Sequence, residues 1–336
     1  MNKKNWLLVL LAFVLTATTL SSCKKSDDDD DDEDEWFQKA AYKGPQTSAA
    51  ASFVIDKIAY VTTGLASRTN GTPFRIQNTY AYNATANTWS EKTAFPGVAR
   101  NGAVGFTINN IGYVGAGNDG TNNLKDFYKY NPTSDTWEQI ASLPIAVNTA
   151  VAFTLNGVAY VGTGETTTAG GTTATNEFYK YDPAKNTWED VEDAPFTAKR
   201  KGAFAFVINN IAYVGGGLSN GSYPKDFYKF DGSKWTKLND INRDDDSYTY
   251  NLARSNASSF VINGYAFVVG GSAGSVTNSI WKYYPNGDYW DNDNQVFQGS
   301  SRQDAVGFSI DGNGYITTGL NGSTRFDDTW MFTPIY

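Results

Sequence analysis

The chain has 336 residues, 40% hydrophobic, 15% aromatic and 18% charged, with 27 Lys+Arg against 35 Asp+Glu, one Cys and no His. Without His there is no Ser–His or Cys–His nucleophile pair and no imidazole metal ligand, and one Cys excludes an intrachain disulfide framework or a Cys-based zinc site. The formal charge of −8 argues against a nucleic-acid partner, while few charges among many aromatics and glycines describe an ordered all-β chain.

Lys3 and Lys4 precede an apolar run from Trp6 to Leu15, which leads into Leu20-Ser21-Ser22-Cys23. A basic start, an apolar run of about ten residues and small residues before the break describe a secretory signal over 1–22, too short to span a bilayer. Behind Cys23 come Lys24 and Lys25, then an unbroken acidic run from Asp27 to Glu35. Such a block repels itself and cannot pack, so 23–35 is expected to form an extended tether of roughly 43 Å at about 3.3 Å per residue. Residues 36–336 then carry 23 basic against 26 acidic side chains, so most of the acidity belongs to the tether. Leu-Ser-Ser-Cys resembles the bacterial lipobox, which implies that Cys23 is lipidated and holds the chain on a membrane. The acidic run behind it resembles the surface-export signal of Bacteroidetes-type lipoproteins. Together these resemblances imply an outer-membrane lipoprotein exposed at the cell surface.

From Trp36 onward one frame recurs six times. It runs from Phe53 to Gly64, Phe106 to Gly117, Phe153 to Gly164, Phe206 to Gly217, Phe260 to Gly271 and Phe308 to Gly319. A period near 50 residues with β patterning marks a propeller or a related array. Each repeat reads as four strands. The first two flank dipeptides such as Asn109-Asn110, Asn156-Gly157, Asn209-Asn210 and Asn263-Gly264, which tolerate the positive φ of tight hairpins. A third strand alternates aromatics, as in Phe127-Tyr128-Lys129-Tyr130, and a fourth carries Trp89, Trp137, Trp188, Trp235 or Trp290. The order hydrophobic strand, glycine, Tyr, Trp resembles the kelch repeat over residues 36–336. The resemblance implies an all-β, six-bladed kelch-type β-propeller. The sixth repeat ends after its third strand, and Trp36 precedes Phe53 at the same spacing as Trp89 precedes Phe106. The strand around Trp36 is therefore expected to complete the last blade and close the ring.

In such a ring the loops joining second to third strands share a face with the connections between repeats. These loops are long here (65–79, 118–126, 165–177 and 218–226), so a ligand is expected on that face near the channel. At one fixed position ahead of the closing glycine stand Arg100, Arg200, Arg254 and Arg302, with Thr47 and Val147 in the other two repeats. Four guanidinium groups around one opening favour an anionic ligand, and arginines at this repeat position line the binding face of the peptide-recognising kelch propellers that the chain resembles. Alternatively they pair with Asp126, Glu177, Asp226 and Asp328, which recur where the third strand starts. Tyr248 and Tyr250 lie in a longer excursion between Trp235 and Phe260 and could stack a glycan ring, or form an extra hairpin. The run Asp240 to Asp246 resembles the first half of a calcium loop, but Asp245 stands where glycine is expected, so no metal site is assigned.

Two catalytic relatives are relevant to the kelch resemblance. Galactose oxidase chemistry needs His ligands and a Cys–Tyr cross-link, which this chain lacks. The bacterial N-acetylneuraminate epimerases combine an acid/base carboxylate with Arg contacts to an acidic sugar, and Glu165 could be such a carboxylate. No catalytic residue is matched by motif and no cofactor is implied. The expectation is a lipid-anchored binding protein for a glycan or protein ligand, with an acidic-sugar mutarotase or epimerase as the alternative.

Overall fold

In a computed structural model of the chain, residues 35–191, 194–292 and 295–334 are described. The expected signal, the lipidation site Cys23 and the tether up to residue 34 lie outside the described residues. The tether expectation extends one residue too far. Glu35 is already the first residue of a strand, with its side chain exposed and its backbone paired opposite Thr333.

The described residues are all strand, turn and loop, and they form six four-stranded antiparallel sheets. Sheets 1 to 5 each take four strands in chain order, beginning at Ala51–Ile55, Val104–Ile108, Val151–Leu155, Lys201–Ile208 and Ser258–Ile262, with an extra hairpin between the second and third strands of sheets 1 and 3. Sheet 6 is built from Val306–Ile310, Asn313–Thr317, Thr329–Thr333 and, outermost, the N-terminal strand Glu35–Lys39. Trp36 is 6% exposed and packs its ring on Phe297 at 4.7 Å and Phe332 at 4.9 Å. The chain therefore closes the ring with its own N-terminal strand.

Local chemistry explains the hairpins. Both residues of each first turn have positive φ, as at Asn109 and Asn110 (49° and 60°) or Asn263 and Gly264 (48° and 84°). This is the backbone twist that matches two-residue hairpins, and Asn, Asp and Gly adopt it at low cost. The following ladders place an inner Phe flat on a Tyr across the pair, for example Phe106 on Tyr113 at 5.1 Å and 9°, with Phe267 in place of the Tyr in sheet 5.

Each sheet is apolar on both faces and buries them against its two neighbours. The core is divided into six clusters, each shared by two successive sheets, including one that joins sheet 6 to sheet 1 through Phe308, Tyr315 and Tyr82. The repeat tryptophans serve this packing: Trp89, Trp137 and Trp188 each donate their indole N–H to a carbonyl of the connection before their own sheet.

Around the axis the six innermost strands enclose a channel of about 570 Å³ lined by Ala, Gly, Ser, Thr and Val residues together with the inner phenylalanines. One tier is alanine throughout: Ala50, Ala103, Ala150, Ala203, Ala257 and Ala305. Just outside it, on the long-loop face, lies a closed circle of backbone hydrogen bonds. Ala49 N donates to Asp304 O, Gly102 to Ala49, Thr149 to Gly102, Gly202 to Thr149, Asn256 to Gly202 and Asp304 to Asn256, at 2.8–3.0 Å. All six residues have positive φ, between 51° and 64°. A second circle runs the other way. The closing glycines 64, 117, 164, 217, 271 and 319 donate to the carbonyls of Arg100, Val147, Arg200, Arg254, Arg302 and Thr47 of the next sheet, at 2.7–2.9 Å. Glycine is required there: at Gly117, φ is +94° and a Cβ would meet the Asn101 carbonyl oxygen at 2.8 Å.

Deleting residues 35–39 exposes the third strand of sheet 6 and removes Trp36 from its aromatic pocket. Loss of a buried Trp alone costs about 3–5 kcal/mol, so the melting temperature, followed by circular dichroism, falls by on the order of 10 °C.

Candidate functional site

The four repeat arginines do not form an open cationic ring. Each lies at the loop-face end of its own sheet and ties three strands of that sheet together. Arg100 is fully buried; its Nε donates to Val98 O at 2.9 Å and its Nη1 to Ala116 O at 3.1 Å. Its fork grips Asp126 through Nη1 at 2.8 Å and Nη2 at 2.7 Å. Arg200 repeats this with Ala198 O, Gly216 O and Asp226, and Arg302 with Ser300 O, Thr318 O and Asp328. The guanidinium planes lie over Phe95, Phe196 and Phe297 at 4.1–4.9 Å. The expectation of anion binding by Arg100, Arg200 and Arg302 is thus corrected, because their donors are taken up inside the sheet. The alternative pairing holds for Asp126, Asp226 and Asp328, and these acids tie strands within a sheet. Glu177, in the same position in sheet 3, has Val147 where the arginine would be and accepts from the Tyr179 hydroxyl at 2.7 Å.

Arg254 differs from its three equivalents. It is 6% exposed and hydrogen-bonds Leu252 O, Gly270 O and Ser279 Oγ, with no carboxylate partner among the described residues. Loss of hydration pulls its guanidinium down to about 10.

Tyr248 and Tyr250 are likewise packing residues. Asn242–Asp244 and Thr249–Asn251 form an extra hairpin. Tyr250 is 5% exposed and sits edge-on to Trp281 at 6.4 Å, in the same relation as Phe95 to Tyr128 or Phe297 to Trp330. Tyr248 is half-buried, stacked on Tyr289 at 4.7 Å, with Arg243 over its ring. The acids of the Asp240 to Asp246 run are engaged locally: Asp240 with Lys225 and Lys237, and Asp245 with Arg243 and the turn amides of Ser247 and Tyr248. Among the described residues no group of three or more His, Cys, Asp or Glu side chains is placed to hold a metal ion.

Polar, unpatterned chemistry gathers instead at the channel mouth on the long-loop face. Directly after the arginine column, in the six repeats, stand Ser48, Asn101, Asn148, Lys201, Ser255 and Gln303, polar in every sheet. Directly below them, in the circle of positive φ, Asp304 is the one ionisable residue among Ala49, Gly102, Thr149, Gly202 and Asn256. Loss of hydration in the neck pushes its carboxyl up to about 6, against a weak contact from Gln303 at 3.4 Å and the opposing charge of Arg325. Arg325 is 8% exposed and donates to Ser48 Oγ at 3.2 Å and to Ser67 Oγ. Lys201 pairs with Glu165, which stands at the start of a hairpin above the mouth. The amide oxygens of Asn101 and Asn148 are buried without a hydrogen-bond donor among the described residues. Glu165 thus lies near the mouth, whereas Asp304, which is absent from the expected set, lies in it. The signal for Asp304 is its column, two places after the arginine column, where one acid interrupts small and amide residues.

A ring of four-stranded antiparallel sheets around a channel, with the last sheet completed by the N-terminal strand, defines a β-propeller. It is of the kelch kind: the kelch motif matches residues 99–144 and 253–292, in the second and fifth repeats. Among solved structures the chain is similar to YjhT, with a TM-score of 0.70 and 16% identity over 87% of this chain and 95% of that one, a likeness of fold. No curated protein sequence matches the chain.

Two outcomes follow from these contacts. Arg200→Ala leaves Asp226, 2% exposed, as an uncompensated buried charge, so the unfolding free energy from a denaturant melt drops by about 3–5 kcal/mol. The Asp304 carboxyl holds its proton more tightly in the folded chain than at its ordinary value of 3.8, so the contribution of this one group to stability is fullest below pH 4 and is lost as pH rises towards 6. Asp304→Asn removes that decline: the variant melts above the parent at pH 7 and alike at pH 4.

Proposed function

We propose that the protein is a lipid-anchored binding propeller of the cell envelope that takes a glycan over its channel mouth on the long-loop face. The observation that carries this reading is the contrast between columns. Positions that build the fold repeat from sheet to sheet, as Phe53, Phe106, Phe153, Phe206, Phe260 and Phe308 do. The mouth column instead changes among Ser, Asn, Lys and Gln and sits beside an acid, an arginine and a Lys–Glu pair. Hydroxyl, amide and charged groups on a rigid frame suit the many hydroxyls of a sugar. The anchor is proposed on Cys23 and the envelope address on the signal and acidic run of residues 1–35; a protein ligand on the same face is the variant of this reading.

A second reading is favoured by Asp304. A carboxyl at about 6 beside an arginine can hold or release a proton near neutral pH, as an acidic-sugar mutarotase or epimerase requires.

Calorimetric titration of the full chain with neutral and acidic oligosaccharides tests the binding role. Saturable heat that Lys201→Ala weakens supports it, and heat absent across the panel rejects a glycan ligand. Anomer exchange followed by NMR separates the second reading: exchange accelerated by the parent and not by Asp304→Asn assigns catalysis to the mouth.

A further inference from the structure

Sheet 6 shows the complete loop-face strut. Arg302 holds the Asp328 carboxylate through Nη1 at 2.6 Å and Nη2 at 2.8 Å, and the Trp330 indole N–H donates to Asp328 Oδ2 at 2.7 Å. Sheet 5 carries the same donors. Arg254 stands to Gly271 as Arg302 stands to Gly319, and Trp281 is the second residue of the third strand as Trp330 is. The residue just before that strand, Asp328 in sheet 6, is Ser279 in sheet 5.

The acid is gone and both donors are left open. Arg254 gives Nη1 to Gly270 O at 3.1 Å and Ser279 Oγ at 2.6 Å, while its Nη2 meets no acceptor among the described residues. Trp281 Nε1 is buried and has no hydrogen-bond partner among them. An indole N–H buried without a partner costs free energy, and Arg254 and Trp281 hold the repeat positions of the two residues that converge on one carboxylate in sheet 6. Loss of hydration pulls the Arg254 guanidinium down to about 10. Ser279 itself is half-buried, and of the equivalent carboxylate side chains Asp126 and Asp328 are 23% and 22% exposed and Asp226 2%, so the position is open to solvent in some sheets and closed in another.

We propose that sheet 5 binds the carboxylate of an external ligand between Arg254 and Trp281, in the position that Asp328 occupies in sheet 6. A planar two-oxygen acceptor matches the guanidinium fork and the indole donor together, which a spherical ion does not. Ser279, half-buried and shorter than Asp328, stands where that carboxylate would sit, and the remainder of the ligand lies in solvent on the long-loop face. The site is distinct from the channel mouth and stands or falls separately from glycan binding there.

The test uses the 15N-labelled full chain, whose nine tryptophans give nine indole N–H signals, with acetate as the probe at constant ionic strength. Trp281→Phe identifies the relevant signal. Acetate moves that signal saturably while the Trp330 signal stays in place, and chloride does not move it. Ser279→Asp supplies the carboxylate from within the chain, so it melts above the parent and weakens the acetate response about tenfold or more. A Trp281 signal that ignores acetate, that answers chloride equally, or that answers acetate undiminished in Ser279→Asp overturns the proposal.

Discussion

Two closed circles of backbone hydrogen bonds hold the six sheets in register, and the rest of the molecule depends on them. Each sheet is a short four-stranded unit with two apolar faces, stable only between neighbours. The circle through Ala49, Gly102, Thr149, Gly202, Asn256 and Asp304 fixes the innermost strands, and the circle through the closing glycines fixes where each second strand leaves its sheet. Because the two run in opposite directions, each sheet both donates to and accepts from either neighbour. The N-terminal strand Glu35–Lys39 matters in this context because it gives sheet 6 the same width as the others and leaves the cluster between sheets 5 and 6 filled by Trp36.

A repeat protein separates structural from functional residues by internal comparison. Arg100, Arg200 and Arg302 look like a recognition ring until their partners are seen, yet each guanidinium holds the carbonyl of a residue in the left-handed region: Ala116, Gly216 and Thr318. That contact secures the bend into the closing glycine. The cost of burying the charge is offset by the Asp at the start of the third strand. Where the repeat breaks this pattern, at Arg254 with Ser279 in sheet 5 or at Asp304 of the mouth, the buried charge has no ion-pair partner within 4 Å among the described residues, and those are the places with chemistry to spare.

Much of the fold was legible in the sequence because repetition makes it redundant. The closing glycines, the Asn-Asn and Asn-Gly hairpins and the role of Trp36 each follow from a local rule applied six times. The loop face was legible too, from loop length. The use of the arginines was not, because a sequence shows a column of charges but not whether a carboxylate folds back within hydrogen-bonding reach of each. Tyr250 misleads for a related reason: the extra hairpin hides that it stands in the same aromatic column as Phe95, Phe196 and Phe297. Asp304 and Ser279 are both visible as exceptions in otherwise uniform columns, and similarity between repeats is easier to notice than departure from it.

The inner circle also sets the electrostatics of the neck. Peptide groups aligned head to tail along a helix add up to a pole at each end. Here six of them run tangentially around an axis, N–H of one to C=O of the next, and a closed loop of tangential dipoles has no net moment. The backbone therefore presents neither a positive nor a negative pole to the channel, unlike a helix terminus or an anion-binding nest. Whatever selects charge at this opening is left to side chains, and at the level of the circle the only side chain able to carry one is Asp304.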